Sequence, residues 1–149
     1  MVDNTIEMIG KLIETCRDGQ AGFLEAAEHT RNAELRAYFS RQGLERAKFA
    51  AELESVARRL GEAEPGGSPS VAGKLHRAWI DLKHKMGGGD ACILESVEFG
   101  QRIARNRYRE ALQAGLPLNV LAIVERQAES VFAAHDQVRT LQDMYKSAA

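Results

Sequence analysis

Helix breakers and covalent staples are scarce in this sequence. Three prolines stand among 149 residues, so little interrupts long helices. The two cysteines, Cys16 and Cys92, are far apart and match no metal or redox spacing. They read as free thiols in a reducing compartment, the cytoplasm. No apolar run approaches the ~18 residues of a membrane span. The opening MVDNTIEMIGKL lacks the basic region and apolar core of a secretory leader. Charge of one sign is missing too. Twenty Lys and Arg against 21 Asp and Glu give a net charge of -1, without the basic footprint that nucleic-acid binding requires. No strand pattern precedes a glycine-rich loop, so GGGD (Gly87–Asp90) reads as a helix stop and an N-cap rather than a nucleotide site.

What the chain does have is helical periodicity. The first helix is expected after an N-cap at Asp3 or Asn4. Its inward stripe is Ile6, Ile9, Ile13, Cys16, Gln20, Phe23, Ala27 and Thr30. Two glycines inside it, in RDGQAG (Arg17–Gly22), imply a kink or a close helix approach. The second helix is capped by Asn32, carries Leu35, Phe39, Gln42, Arg46, Phe49, Leu53, Val56 and Leu60 inward, and stops at Gly61. The loop EAEPGGSPS (Glu62–Ser70) leads to a shorter helix through Met86, with Val71, Leu75, Trp79 and Leu82 on one side. Asp90 is expected to cap the third long helix, with Leu94, Val97, Gln101, Ala104, Tyr108 and Ala111 inward. After AGLP (Ala114–Pro117) the fourth presents Val120, Val124, Gln127, Val131, Ala134, Val138, Leu141 and Tyr145.

Four helices of this length, each spanning roughly 40 Å, with two short turns and one long connection, predict a single all-α domain over residues 1–149. The layout is a ferritin-like four-helix bundle: two antiparallel hairpins joined by a long crossover that carries a short extra helix. The third long helix also has an outward stripe, Cys92, Phe99 and Ile103. It needs a cover, either the short helix or a second subunit.

Several stretches carry a resemblance: DGQAGFLEAAE (Asp18–Glu28), AELESVARRLG (Ala51–Gly61), GKLHRAW (Gly73–Trp79), GLP (Gly115–Pro117) and AAHDQV (Ala133–Val138). Together they resemble a bacterial ferritin-like four-helix-bundle family known mainly as a domain of unknown function. The resemblance implies the bundle and no particular activity.

The wider ferritin-like group suggests a di-iron test. Such a centre takes one glutamate from each of two helices and Glu-x-x-His from each of the other two. Three residues before His29, His76 and His135 stand Ala26, Gly73 and Phe132. Only His84 has an acid there, Asp81, and that pair falls on the short helix. No long helix carries the motif. The remaining metal candidates are Glu28, Glu98 and His135, with iron or another divalent ion as the alternative to no cofactor.

The inward stripes instead predict a buried polar network of Gln20, Gln42, Arg46, Gln101 and Gln127. Buried polar groups need partners, and counting from the turns sets Glu98 level with His135 and Gln127 level with Arg105. Arg46 would supply positive charge where relatives hold a metal. On the crossover helix Trp79 anchors to the bundle, while His76 and Arg77 cap or bridge. Cys16 reads as a small core residue and Cys92 as a first-turn thiol with no histidine near it in sequence. The functional expectation is a non-catalytic cytoplasmic bundle that acts through self-association or a protein partner, with no nucleic acid and no membrane. The alternative is a degenerate di-iron-type metal-binding or redox protein. A third class, small-molecule binding in the core, depends on the glycines of DGQAG.

Overall fold

A computed structural model describes residues 2–62 and 89–148. The expected short helix, with His76, Arg77 and Trp79, lies outside the described residues. Four helices make up nearly all the rest: α1 Val2–His29, α2 Ala33–Arg59, α3 Asp90–Leu112 and α4 Leu118–Ala148. Among the described residues there is no strand and no helix long and apolar enough to cross a membrane.

The helix ends follow from local chemistry, except that α1 already begins at Val2, ahead of the expected caps Asp3 and Asn4, and that α3 starts differently from expectation. Asn32 caps α2, its side chain accepting from the Leu35 amide at 3.0 Å, which ties up one of the free donors of a helix start. At the other end Gly61 takes φ +100°. The amide of Gly61 donates to Arg58 O and that of Glu62 to Ala57 O, the paired bonds of a Schellman stop, in which glycine relieves the left-handed turn. The α3–α4 turn has its own positive-φ residue, Gly115. At α3 the cap is Gly89, and Asp90, the expected cap, is the first helical residue. Its carboxylate instead reaches the α1–α2 turn, accepting from Thr30 Oγ1 at 2.9 Å, the Arg31 amide at 2.8 Å and the Asn32 amide at 3.1 Å. A local capping rule gave way to a tertiary contact.

Helix α1 packs against α2 and α3, and α4 packs against α3 and α2. In every pairing the residue numbers rise on one helix as they fall on the other. Cys16 meets Tyr108 and Thr30 meets Asp90. Glu98 meets His135 and Tyr108 meets Gln127. Glu45 meets Ser130 and Glu52 meets Arg126. Since Asp90 sits beside the α1–α2 turn, α3 begins at the opposite end of the bundle from the end of α2.

The apolar core is divided in two. One cluster gathers Ile9, Leu12, Ile13 and Cys16 with Phe49, Leu53, Tyr108, Val124 and Val131. The other gathers Phe23, Ala26, Leu35, Phe39, Ile93, Leu94, Val97 and Val138. Along each helix the gap between the clusters holds polar residues: Asp18 and Gln20 on α1, Gln42 and Arg46 on α2, Glu98 and Gln101 on α3, His135 on α4. The bundle therefore has a polar layer between two apolar ones.

Most of the expected inward stripes are buried. Ile6, Gln20, Gln42, Leu60, Leu141 and Tyr145 are only half-buried. Helix α1 buries a wider face than one stripe, adding Thr5, Leu12, Asp18, Gly19 and Ala26. Of the outward stripe on α3, Cys92 is buried within this chain, Ile103 is half-buried and Phe99 is 43% exposed.

Candidate functional site

Arg46 dominates the polar layer. It is 1% exposed and is the largest fully buried side chain among the described residues. None of Nε, Nη1 and Nη2 has a hydrogen-bond partner there. Its chain lies across Gly19 of α1, where an added Cβ would stand 3.2 Å from Nη1 and 3.3 Å from Cγ. Its Cζ sits 5.4 Å from the centroid of the Phe23 ring, a cation–π contact that occupies no N–H. Burial works against the charged form, with Cys16, Tyr108, Glu45 and Tyr38 acting in the opposite sense, but an arginine does not lose its proton in a protein. Gln42 Oε1 and Gln101 Oε1 of the same layer are also buried without partners among the described residues.

Below this layer runs a hydrogen-bonded chain. Tyr108 OH donates to Gln127 Oε1 at 2.6 Å. A phenol has one proton, so in the 3.1 Å contact with Tyr108 the Cys16 thiol is the donor. Gln127 Nε2 then donates to Glu52 Oε1 at 2.8 Å, and Glu52 is paired on the surface with Arg126. The chain leads from a fully buried thiol to a half-exposed carboxylate. Burial pushes the Cys16 thiol up, against the bond with Tyr108 and the charge of Arg46, so the thiol is held protonated and unreactive. Burial likewise raises Tyr108 far above the usual phenol range.

On the other side of the layer Glu98 and His135 meet, Oε2 to Nε2, at 2.8 Å. Arg105 Nη1 lies 3.3 Å from His135 Nδ1. A guanidinium can only donate, so Nδ1 accepts and Nε2 carries the proton given to Glu98. Arg105 also pairs with Asp136 at 2.9 Å, and Arg102 with Glu98 at 3.0 Å. Burial pushes Glu98 up, but the His135 bond and Arg102 outweigh it, and its carboxyl ends below the usual range.

The structure thus sorts the residues singled out by sequence. Glu98 and His135 are together. Glu28 is not with them: its ligand atoms cluster with those of Glu25 and His29, within 4.8 Å, on the outer side of the last turn of α1. His29 Nδ1 is already 2.9 Å from the Glu25 carbonyl. Among the described residues no hydrogen bond links the five members of the expected polar network. Gln127 alone of them is bonded there, to Tyr108, Glu52 and, at 3.4 Å, the Phe49 carbonyl. Gln127 meets Tyr108 rather than the level of Arg105, a slip of one helical turn. Sequence reading missed the roles of Cys16, Tyr108 and Glu52. The signal was there, since Cys16 and Tyr108 share inward stripes, but only the true register brings them together.

This donor set does not fit a di-iron centre. One carboxylate and one imidazole converge, each is already engaged by an arginine, and a buried guanidinium holds positive charge in the same layer.

A family model described as "Domain of unknown function (DUF2383)" matches residues 4–114. The match takes in α1, α2 and α3. No curated protein matches the chain. The chain belongs to this DUF2383 family.

Proposed function

We propose that this member of the DUF2383 family is a single-domain, ferritin-like bundle of two antiparallel hairpins with one long crossover, whose interior has been closed to metal. It works non-catalytically in the reducing cytoplasm, through self-association. The observation that carries the reading is Arg46. A fixed positive charge at the mid-height of the bundle repels a divalent cation, and Glu98 and His135 are bonded to each other. The antiparallel registers of all four helix contacts, with α3 starting at the opposite end from the finish of α2, support the topology. A buried free thiol at Cys16 suits a reducing compartment.

With the interior so occupied, the means of action lies on the surface. Leu44 is 63%, Leu118 85% and Met144 60% exposed. Leu24 of α1, 41% exposed, lies over Gly43 of α2. Exposed apolar side chains of this kind suit contact with a second copy.

Metal content and solution mass, measured on one untagged preparation, test the proposal. The expected result is a dimer or larger assembly with iron, manganese and zinc far below one per chain. Stoichiometric metal supports the alternative, a degenerate di-iron-type protein, and overturns the closed-interior reading. A metal-free monomer overturns self-association.

A further inference from the structure

The arginine that excludes a cation is itself short of a partner. A guanidinium offers five N–H donors, and no described residue accepts from Arg46. None of the ion pairs among the described residues includes it. Glu45, whose charge acts on it, gives its carboxylate to Ser130. A charge buried this far without a partner is strongly disfavoured, and arginine cannot escape by losing its proton.

The surroundings favour an anion. Gln42 stands one turn before Arg46 on α2. The register of α3 and α4 puts Gln101 within about one turn of its level. Both amides have a buried, unpartnered oxygen. Exchanging amide oxygen and nitrogen by a half-turn breaks no observed bond and aims an NH2 inward instead. Donors of α2 and α3 then stand within about one turn of each other in height, and the aromatic contact with Phe23 leaves the N–H groups free.

Charge and shape narrow the class. One cation is balanced by one negative charge, and a dianion would leave a buried excess of the other sign. A guanidinium fork matches a planar two-oxygen edge. We propose that Arg46, with Gln42 and Gln101, holds a small planar monoanion of the carboxylate type in the polar layer of the bundle. This goes beyond the closed-interior reading and does not depend on self-association.

The test uses the full chain, refolded from urea into chloride buffer so that the interior is open to exchange. Formate and acetate are titrated at constant ionic strength while the Arg46 Nε–H resonance is followed in 15N-labelled protein. The expected result is a saturable 1:1 shift with formate or acetate, and none when sulfate replaces chloride. Arg46→Lys, which keeps the charge without the fork, should weaken binding at least tenfold. Arg46→Met should abolish the rise in unfolding midpoint that formate gives the wild type. A formate titration with no saturable shift overturns the proposal. So does an Arg46→Met protein that keeps the formate-dependent rise. Neither result bears on metal content or solution mass, so failure here is distinct from failure of the closed-interior reading.

Discussion

At the scale of single residues, the bundle tolerates polar groups that a local reading of the sequence treats as solvated. Asp18 is 8% exposed, with Oδ1 unpartnered among the described residues. Burial, reinforced by Glu14, raises its carboxyl from 3.8 to about 6. The folded state therefore binds this proton more tightly than the unfolded chain does. Its contribution to stability grows as pH falls from above 6 towards 4, and is lost as pH rises through the same window. Asp18→Asn should stabilise the protein at pH 8 by about 1–2 kcal/mol, from ~1.4 kcal/mol per pKa unit with allowance for partial hydration. The gain should vanish near pH 4. Urea midpoints of both proteins at the two pH values check it, and a gain independent of pH would assign the effect to something other than the charge. Asp18 was not legible beforehand because α1 buries more than one stripe, and periodicity registers the dominant face alone.

At the scale of elements, the inward stripes and the turn residues were readable because both follow from local geometry. The 3.6-residue period sets one, and the left-handed φ at Gly61 and Gly115 sets the other. Counting residues from the turns was enough to bring Glu98 level with His135. It misplaced Gln127 by a turn, since a constant rise cannot describe how the chain leaves α3 at Gln113 and enters α4 at Leu118. Asp90 looked like a cap and became a tie between helices, which no local rule could reveal. The glycines of α1 separate in the same way. An added Cβ at Gly22 meets nothing within 4 Å, whereas at Gly19 it meets Arg46. Gly22→Ala should therefore gain about 0.5–1 kcal/mol in urea unfolding, the usual helix preference of alanine over glycine. Gly19→Ala should gain less or lose stability, because Arg46 must shift. Equal gains at both positions would mean that Arg46 does not lie across Gly19.

At the scale of the whole molecule, two apolar clusters enclose a polar layer, and that layer defines the protein. Sequence reading found most of its members, since Gln20, Gln42, Arg46 and Gln101 all fall on stripes, but not Asp18. It expected them to bond to one another. Side-chain reach decides otherwise: Gln127 serves Tyr108 and Glu52, and Arg46 turns to Gly19 and Phe23. The central claim is that Arg46 is a buried charge with no partner among the described residues. The most direct test is urea unfolding of the wild type and Arg46→Met in chloride buffer at pH 7, free of small carboxylates. Replacing an unpaired buried charge with an apolar side chain of similar volume should raise stability by about 1–4 kcal/mol. A loss of about 3 kcal/mol or more, the size expected when one member of a buried pair is removed, would show that Arg46 is paired by the protein and would contradict the account.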